Sequence, residues 1–326
     1  MSVRLLAPVL FVLIAAPALN GQNGSYTAPR TPDGQPDLQG FWTNATFTPL
    51  ERPKNVTKEF YTPEEAAARE KQLIDADVAQ TEPGTIEDVH YDFTQFGLDT
   101  HQAPYASTLR TSMIYDPPDG RLPPLSAEGK RRAAERAERE KGVGRWDSAQ
   151  TNQLDDRCVI FAGAGPPMMP QSYNSNYQIV QAPGYVMILF EMAHDARVIP
   201  LDARPHVEPG LRQWIGDSRG RWEGDTLVVE TTNFNGKNPL NGSSEQMRVV
   251  ERFTRVGADT IRYQFTVEDP STWTRPWSAE LPLRKATGPL FEHACHEGNY
   301  GLYNTLAGAR LAEKKAAEEA KKKGSN

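Results

Sequence analysis

A mainly β fold, an antiparallel up-and-down β-barrel with helices on its outside, is predicted by three features of the sequence. Short apolar runs follow one another from residue 177 to residue 295 at hairpin spacing, with no helical period between them. Strict alternation sets Ile261, Tyr263, Phe265 and Val267 against Arg262, Gln264, Thr266 and Glu268. One face of that ribbon is therefore buried, and the other is wetted or lines a polar interior. Finally, 25 glycines and 26 prolines fall largely between apolar runs, the composition of a turn-rich β protein. The clearest hairpin has an edge ending in Arg221-Trp222, a Glu223-Gly224-Asp225 turn and a β-branched run over 226–232.

The elements follow in chain order. Arg4, the apolar run 5–16 and the small-residue exit at Ala16-Pro17-Ala18 read as a secretory signal over 1–21. The run is short for a membrane anchor, which needs about 20 apolar residues. After a polar stretch carrying Gly40-Phe41-Trp42, Thr62, Pro63 and Glu65 open a helix over 62–80 with a cap and a capping box. A strand over 111–115 stops at Asp116-Pro117-Pro118-Asp119-Gly120. Ser126 caps a second, highly charged helix over 126–141, which Gly142 ends. A Gly/Pro-rich loop over 155–171 precedes strands at 177–181, 185–191, 197–201, 220–222, 226–232, 247–255, 260–269, 277–283 and 290–295. Residues 300–323 are helical in composition, ending in lysines that suit the negative end of a helix dipole. The division is a signal over 1–21, one barrel domain over 22–310 containing both helical insertions, and a charged helical tail over 311–326.

Composition removes several classes of function. Apolar residues at 38% and aromatics at 9% support a packed core. A net charge of −6 gives no general attraction to nucleic acid or anionic lipid. After signal cleavage no segment is apolar enough to span a bilayer. Cys158 and Cys295 are either bridged or two separate buried thiols. A bridge would stabilise the fold by about 4–5 kcal/mol in the chain-entropy description.

Several long motifs together resemble a family of secreted bacterial proteins of uncharacterised function. They are the decapeptide 116–125 from Asp116 to Leu125, the stretch 216–229 around Arg221-Trp222, Val267-Glu268-Asp269-Pro270, and Cys295-His296-Glu297-Gly298-Asn299-Tyr300. That resemblance implies one continuous domain and an exported location, and implies no activity, cofactor or ligand. Gly40-Phe41-Trp42 is in addition similar to the Gly-x-Trp opening of lipocalin-type (calycin) barrels, in which the Trp plugs one end.

Candidate chemistry centres on the histidines. His194 and Glu191 at one strand end, with Arg204 and His206 after the next, would gather at one rim if those strands pair. A carboxylate beside an imidazole serves general acid–base catalysis, and an arginine holds an anionic substrate group or a developing oxyanion. The alternative is a salt-bridge network that fixes rim loops. His293, His296 and Glu297 form a second acid–base candidate near the last strand, but no second ligand pair completes a metal motif. Ser218 lies in a Gly-x-Ser-x-Gly run followed by a strand rather than a helix, so it is no nucleophile elbow. Gly163-Ala164-Gly165-Pro166 opens no helix, so no phosphate or dinucleotide cofactor is indicated.

For ligand binding the candidates are Trp222, Arg221, Glu223, Tyr173, Tyr185 and Trp277, which either line a pocket or belong to core and surface. Arg221 and Trp222 must face opposite ways in one strand. The sequence therefore favours a small apolar or aromatic molecule bound in the barrel mouth. An extracytoplasmic hydrolase, lyase or isomerase on the same barrel comes next, and an envelope interaction protein third.

Overall fold

The computed structural model describes residues 26–77, 105–106, 108–171, 174–192, 195–237, 240 and 242–324. The leader expected over 1–21 and the last turn of the first helix lie outside them, as do Tyr173 and His194. Among the described residues ten strands form one antiparallel sheet: β1 (Gly40–Thr43), β2 (Ile114–Asp116), β3 (Asn176–Ala182), β4 (Tyr185–Phe190), β5 (Ala196–Pro200), β6 (Asp217–Glu223), β7 (Thr226–Thr232), β8 (Arg248–Gly257), β9 (Thr260–Glu268) and β10 (Trp277–Lys285). Nine of them run in the order β5-β4-β3-β1-β10-β9-β8-β7-β6, with β2 pairing on β10. They curl into a nearly closed barrel.

Two departures from a purely sequential meander have clear reasons. β1 inserts between β3 and β10, pairing Trp42 with both Tyr177 and Lys285, and so joins two up-and-down sets. The region 290–295, expected as a final strand, has no regular structure. Gly288-Pro289 interrupts it, and Cys295 is bonded to Cys158, with Cα atoms 5.8 Å apart across 137 residues. The bridge fixes the chain after the barrel to the loop that stoppers it.

β5 and β6 close the barrel without backbone pairing. Leu201 and Ile199 pack directly on Gly220. A Cβ there would lie 2.6 Å from Leu201 Cδ2 and 2.8 Å from Ile199 Cγ2, so the close approach admits only glycine.

Alternation places Ile179, Ile188, Val229, Val249, Phe253, Ile261, Phe265 and Leu281 inside, all essentially buried. Each such side chain contributes about 1.5–3 kcal/mol by leaving water. Trp277 lies edge-on to both Phe265 and Trp273, with ring centroids 5.7 Å apart in each pair.

Three helices lie outside: α1 (Pro63–Asp77), α2 (Ala127–Glu140) and α3 (Tyr300–Gly324). Thr62 and Glu65 form the expected capping box, with Glu65 N donating to Thr62 Oγ1 at 3.2 Å and Thr62 N to Glu65 Oε2 at 2.8 Å. Ser126 Oγ accepts from Gly129 N at 3.0 Å to cap α2. Among the described residues no helix is long and apolar enough to cross a membrane.

The barrel has two unlike ends. The loop end carries Asn176, Phe190, Ala196, Asp217, Thr232, Arg248 and Glu268; the strap end carries Tyr185, Pro200, Glu223 and Thr226, as the register of the strands requires. A ribbon of chain before β1 crosses the strap end. Arg30 ties it to Asp225 of the β6–β7 turn at 2.6 Å. Gln181 holds it on both sides, accepting from Leu38 N at 2.6 Å and donating to the Pro36 carbonyl at 3.0 Å. Beneath it Trp42 plugs the barrel, donating to the Leu38 carbonyl at 2.9 Å with the Arg255 guanidinium 5.6 Å from its ring.

Candidate functional site

The interior offers no open channel because a charged network and a loop fill it. Arg197 on β5 and Glu251 on β8 point inward among the apolar side chains and form an ion pair with 2% and 0% of their side chains exposed. Tyr263 donates to Glu251 Oε1 at 2.7 Å, and Arg197 Nη1 does so at 3.1 Å. From the loop end, Met168 N donates to the Tyr263 hydroxyl, Tyr177 donates to the Gly163 carbonyl, and Asn44 Nδ2 donates to the Met168 carbonyl, each at 2.9 Å. Burial, and then the Glu251 charge, push the Tyr263 hydroxyl well above its ordinary range. Burial also lowers the proton affinity of Arg197, but Glu251 outweighs it and the guanidinium is held more firmly charged than in water. These groups satisfy one another and close the barrel across the unpaired seam. None faces a space where a substrate could sit.

The expected rim constellation does not assemble. β4 and β5 are antiparallel neighbours, with Tyr185 opposite Pro200 and Leu189 opposite Ala196. Glu191 therefore leaves β4 at the loop end, while Arg204 follows β5 at the strap end. Glu191 is buried and accepts from Asn174 Nδ2 at 3.1 Å and Asn176 Nδ2 at 2.9 Å. Arg204 is exposed and bound to Asp202, whose carboxyl its hydrogen bonds hold down at about 2, and it donates to the Tyr185 hydroxyl at 3.0 Å.

His206 runs back along the outer face of β6. Its Nδ1 lies 2.8 Å from Asp217 Oδ2 and its Nε2 3.4 Å from Glu230 Oε1. Arg219 binds Asp217 at 2.6 Å, and Arg248 pairs with Glu230 and, at 2.9 Å, with Glu268. With a carboxylate at each ring nitrogen, His206 presents neither to a substrate. It is part of a cross-strand charge ladder.

His293 stacks edge-on against Phe161 with centroids 5.3 Å apart. His296 and Glu297 are exposed in the turn that leads into α3. Among the described residues no group of His, Cys, Asp and Glu is placed to hold a metal ion.

The ligand candidates divide by the pleat. Arg221 and Glu223 face outward, where Arg221 donates to Glu223 at 2.9 Å and Glu223 also pairs with Arg252 at 2.9 Å. Trp277 is packed in the core with no exposed surface. Trp222, opposite Leu227 in the register, faces inward at the strap end. It meets Tyr185 in the wall of a cavity of about 250 Å3 at the barrel mouth. The strap residues Thr31, Asp33 and Gln35 roof this cavity, the β3–β4 hairpin over 181–186 forms one side, and Leu201 closes the seam side.

Of the expected ligand residues, the structure thus brings Trp222 and Tyr185 together and sets Arg221, Glu223 and Trp277 elsewhere. Sequence reasoning missed Val186, Leu201 and the strap. Val186 and Leu201 read as ordinary strand residues, and nothing in a polar segment before β1 says which end of a barrel it crosses.

A second, wider groove of about 590 Å3 lies on the outer face of β1, β3 and β4, between Phe41, Leu189 and Glu191 on one side and Leu290, Phe291 and Glu292 on the other. Comparison of the chain with family models, curated proteins and solved structures found no match in any of the three.

Proposed function

We propose that this is an exported binding protein that holds a small apolar or aromatic molecule in the strap-end mouth of its barrel. One observation carries the reading. The space of about 250 Å3 is walled by Trp222, Tyr185, Val186 and Leu201, and no histidine contributes to it. Binding sites are concavities lined chiefly by apolar and aromatic groups with a few polar ones. An apolar cavity of about 150 Å3 takes benzene, so this mouth suits a molecule of one or two rings. Acid–base catalysis receives less support, because His206 has both ring nitrogens engaged and the interior Glu251 is consumed by Arg197 and Tyr263. Export is supported by the Cys158–Cys295 disulfide, which persists in oxidising compartments. Membership of the secreted family suggested by the 116–125 and 216–229 motifs belongs to the same proposal.

The test is calorimetric titration of the full chain with 2-acetylnaphthalene. Saturable one-to-one binding with a negative heat-capacity change is expected. The variant Leu201→Trp, which fills the mouth, should abolish it. Undiminished binding by that variant, or no binding by the parent chain, overturns the proposal.

A further inference from the structure

The mouth cavity has one donor that nothing completes. Trp222 forms part of its wall, and the indole Nε1 is shut away from solvent with no acceptor among the described residues. A buried donor left unmade costs about 1–3 kcal/mol. Other polar groups on the same wall are already engaged. Gln181 uses its oxygen on Leu38 N and its nitrogen on the Pro36 carbonyl. The Tyr185 hydroxyl accepts from Arg204, and Thr31 Oγ1 donates to the Gln35 carbonyl at 3.4 Å.

The pleat of β6 holds Trp222 inward, between outward Arg221 and Glu223, so the ring cannot turn to water without a register slip. Trp277 also carries an indole N–H without an acceptor, but it lies in the packed core and lines neither the mouth nor the outer groove. Only at Trp222 does the orphaned donor coincide with room for a ligand.

We infer that the mouth selects a planar apolar molecule bearing a carbonyl-type hydrogen-bond acceptor, and that Trp222 is the residue that selects it. The inference rests on the reading of the mouth as the binding site. It excludes the pure hydrocarbon as the preferred ligand, because a hydrocarbon would bury the indole N–H still further without satisfying it. Discrimination arises from the unpaired protein group rather than from added contact area.

The experiment compares 2-acetylnaphthalene with 2-isopropenylnaphthalene, which differ by an oxygen in place of a methylene group. Affinities are measured for both on the parent chain and on Trp222→Phe. The ratio between probes cancels differences in burial, and the ratio between proteins cancels differences in solvation of the free probes. The preference for the ketone is expected to fall about tenfold in the variant, equivalent to about 1.4 kcal/mol. Affinity for the alkene should change by less than about threefold.

A ratio unchanged within twofold, with both probes still bound, overturns this inference and leaves the mouth as a binding site. Binding of neither probe to the parent chain overturns both. A second readout does not depend on the variant folding: in the indole region of a 1H–15N spectrum of the parent chain, one peak should move downfield with the ketone and not with the alkene. No such movement overturns the inference.

Discussion

At its loop end the barrel is stoppered by side chains that bond to one another, whereas at its strap end a single ribbon of chain crosses it and leaves a space beneath. Met168, Gly163 and Asn44 reach the Tyr263 and Tyr177 hydroxyls at the first end, and the disulfide pins the stopper's base. At the second, Arg30–Asp225 and the two bonds of Gln181 hold the strap over a cavity of about 250 Å3. The difference teaches how one barrel divides its work. The closed end and the ionic pair beside it stabilise the fold, and the mouth is free to exchange a ligand because little of the core depends on it. Binding elements are drawn from the less stable parts of a structure for this reason.

The comparison is broken most directly by removing the bridge. Replacing Cys158 and Cys295 together by serine opens a 137-residue loop. In the chain-entropy description this should lower unfolding stability by about 5 kcal/mol, read as a shift of the urea midpoint. Affinity at the mouth should be unchanged in protein that remains folded. A midpoint that hardly moves would show that the loop end does not depend on the bridge.

Next comes the ion pair at the seam. Glu251→Leu leaves Arg197 charged and buried without its partner, which should cost about 3–5 kcal/mol. The double variant Arg197→Met, Glu251→Leu should recover most of that loss, since replacing both members of a buried pair by apolar groups is commonly neutral or stabilising. Chemical denaturation of the three proteins checks both statements. If the double variant is no better than the single one, the pair specifies the closure of β5 on β6 in a way that apolar packing cannot replace.

A smaller effect is expected from the ladder on the outer face. Hydrogen bonding to Arg248 holds the Glu230 carboxyl below its ordinary value of 4.5. A depressed folded-state value means that the contribution is complete above the unfolded value, near 4.5, and is lost as the pH falls through the lower folded one. Glu230→Gln should therefore lower stability by up to about 1 kcal/mol at pH 7. The gap between variant and parent should close in acid, followed by urea unfolding from pH 7 to pH 3. A gap that is constant with pH would assign the loss to packing instead.

What the sequence made legible follows from period and turn chemistry. The alternation of Ile261 to Val267, the Glu223-Gly224-Asp225 turn and the Thr62–Glu65 box are local, and each predicts its element within a residue or two. The seam and the ends are set by which strands meet, and no local pattern records that. Glu191 and Arg204 look like neighbours at a separation of 13 residues, yet one antiparallel turn sends them to opposite ends of the barrel. A signal for the interior network was present all the same. Glu251 stands between Val249 and Phe253, and Arg197 two residues before Ile199, on the buried phase of their strands. A lone charge in phase with buried neighbours calls for a partner of opposite sign, and these two find each other across the barrel. Trp222 was readable as a ligand residue because Arg221 and Glu223 flank it, whereas Trp277, equally aromatic, was not distinguishable from it without the fold.

The least disruptive change isolates the strap. Arg30 and Asp225 pair at 2.6 Å with 45% and 56% of their side chains exposed, so Arg30→Ala should change global stability by less than about 0.5 kcal/mol. Its effect belongs to access. If the strap must lift for a molecule to enter beneath Thr31 and Gln35, losing this tether should raise the association and dissociation rates of 2-acetylnaphthalene together and leave their ratio nearly fixed. Raising the salt concentration should reproduce part of that change in the parent chain and none in the variant, because an exposed pair is screened. Stopped-flow mixing at low and high salt reads both. Rates indifferent to Arg30 would mean that the ligand enters between Tyr185 and Leu201 along the unpaired seam. The strap would then be a fixed roof over the mouth, and the gate would have to be sought where β5 and β6 meet without hydrogen bonds.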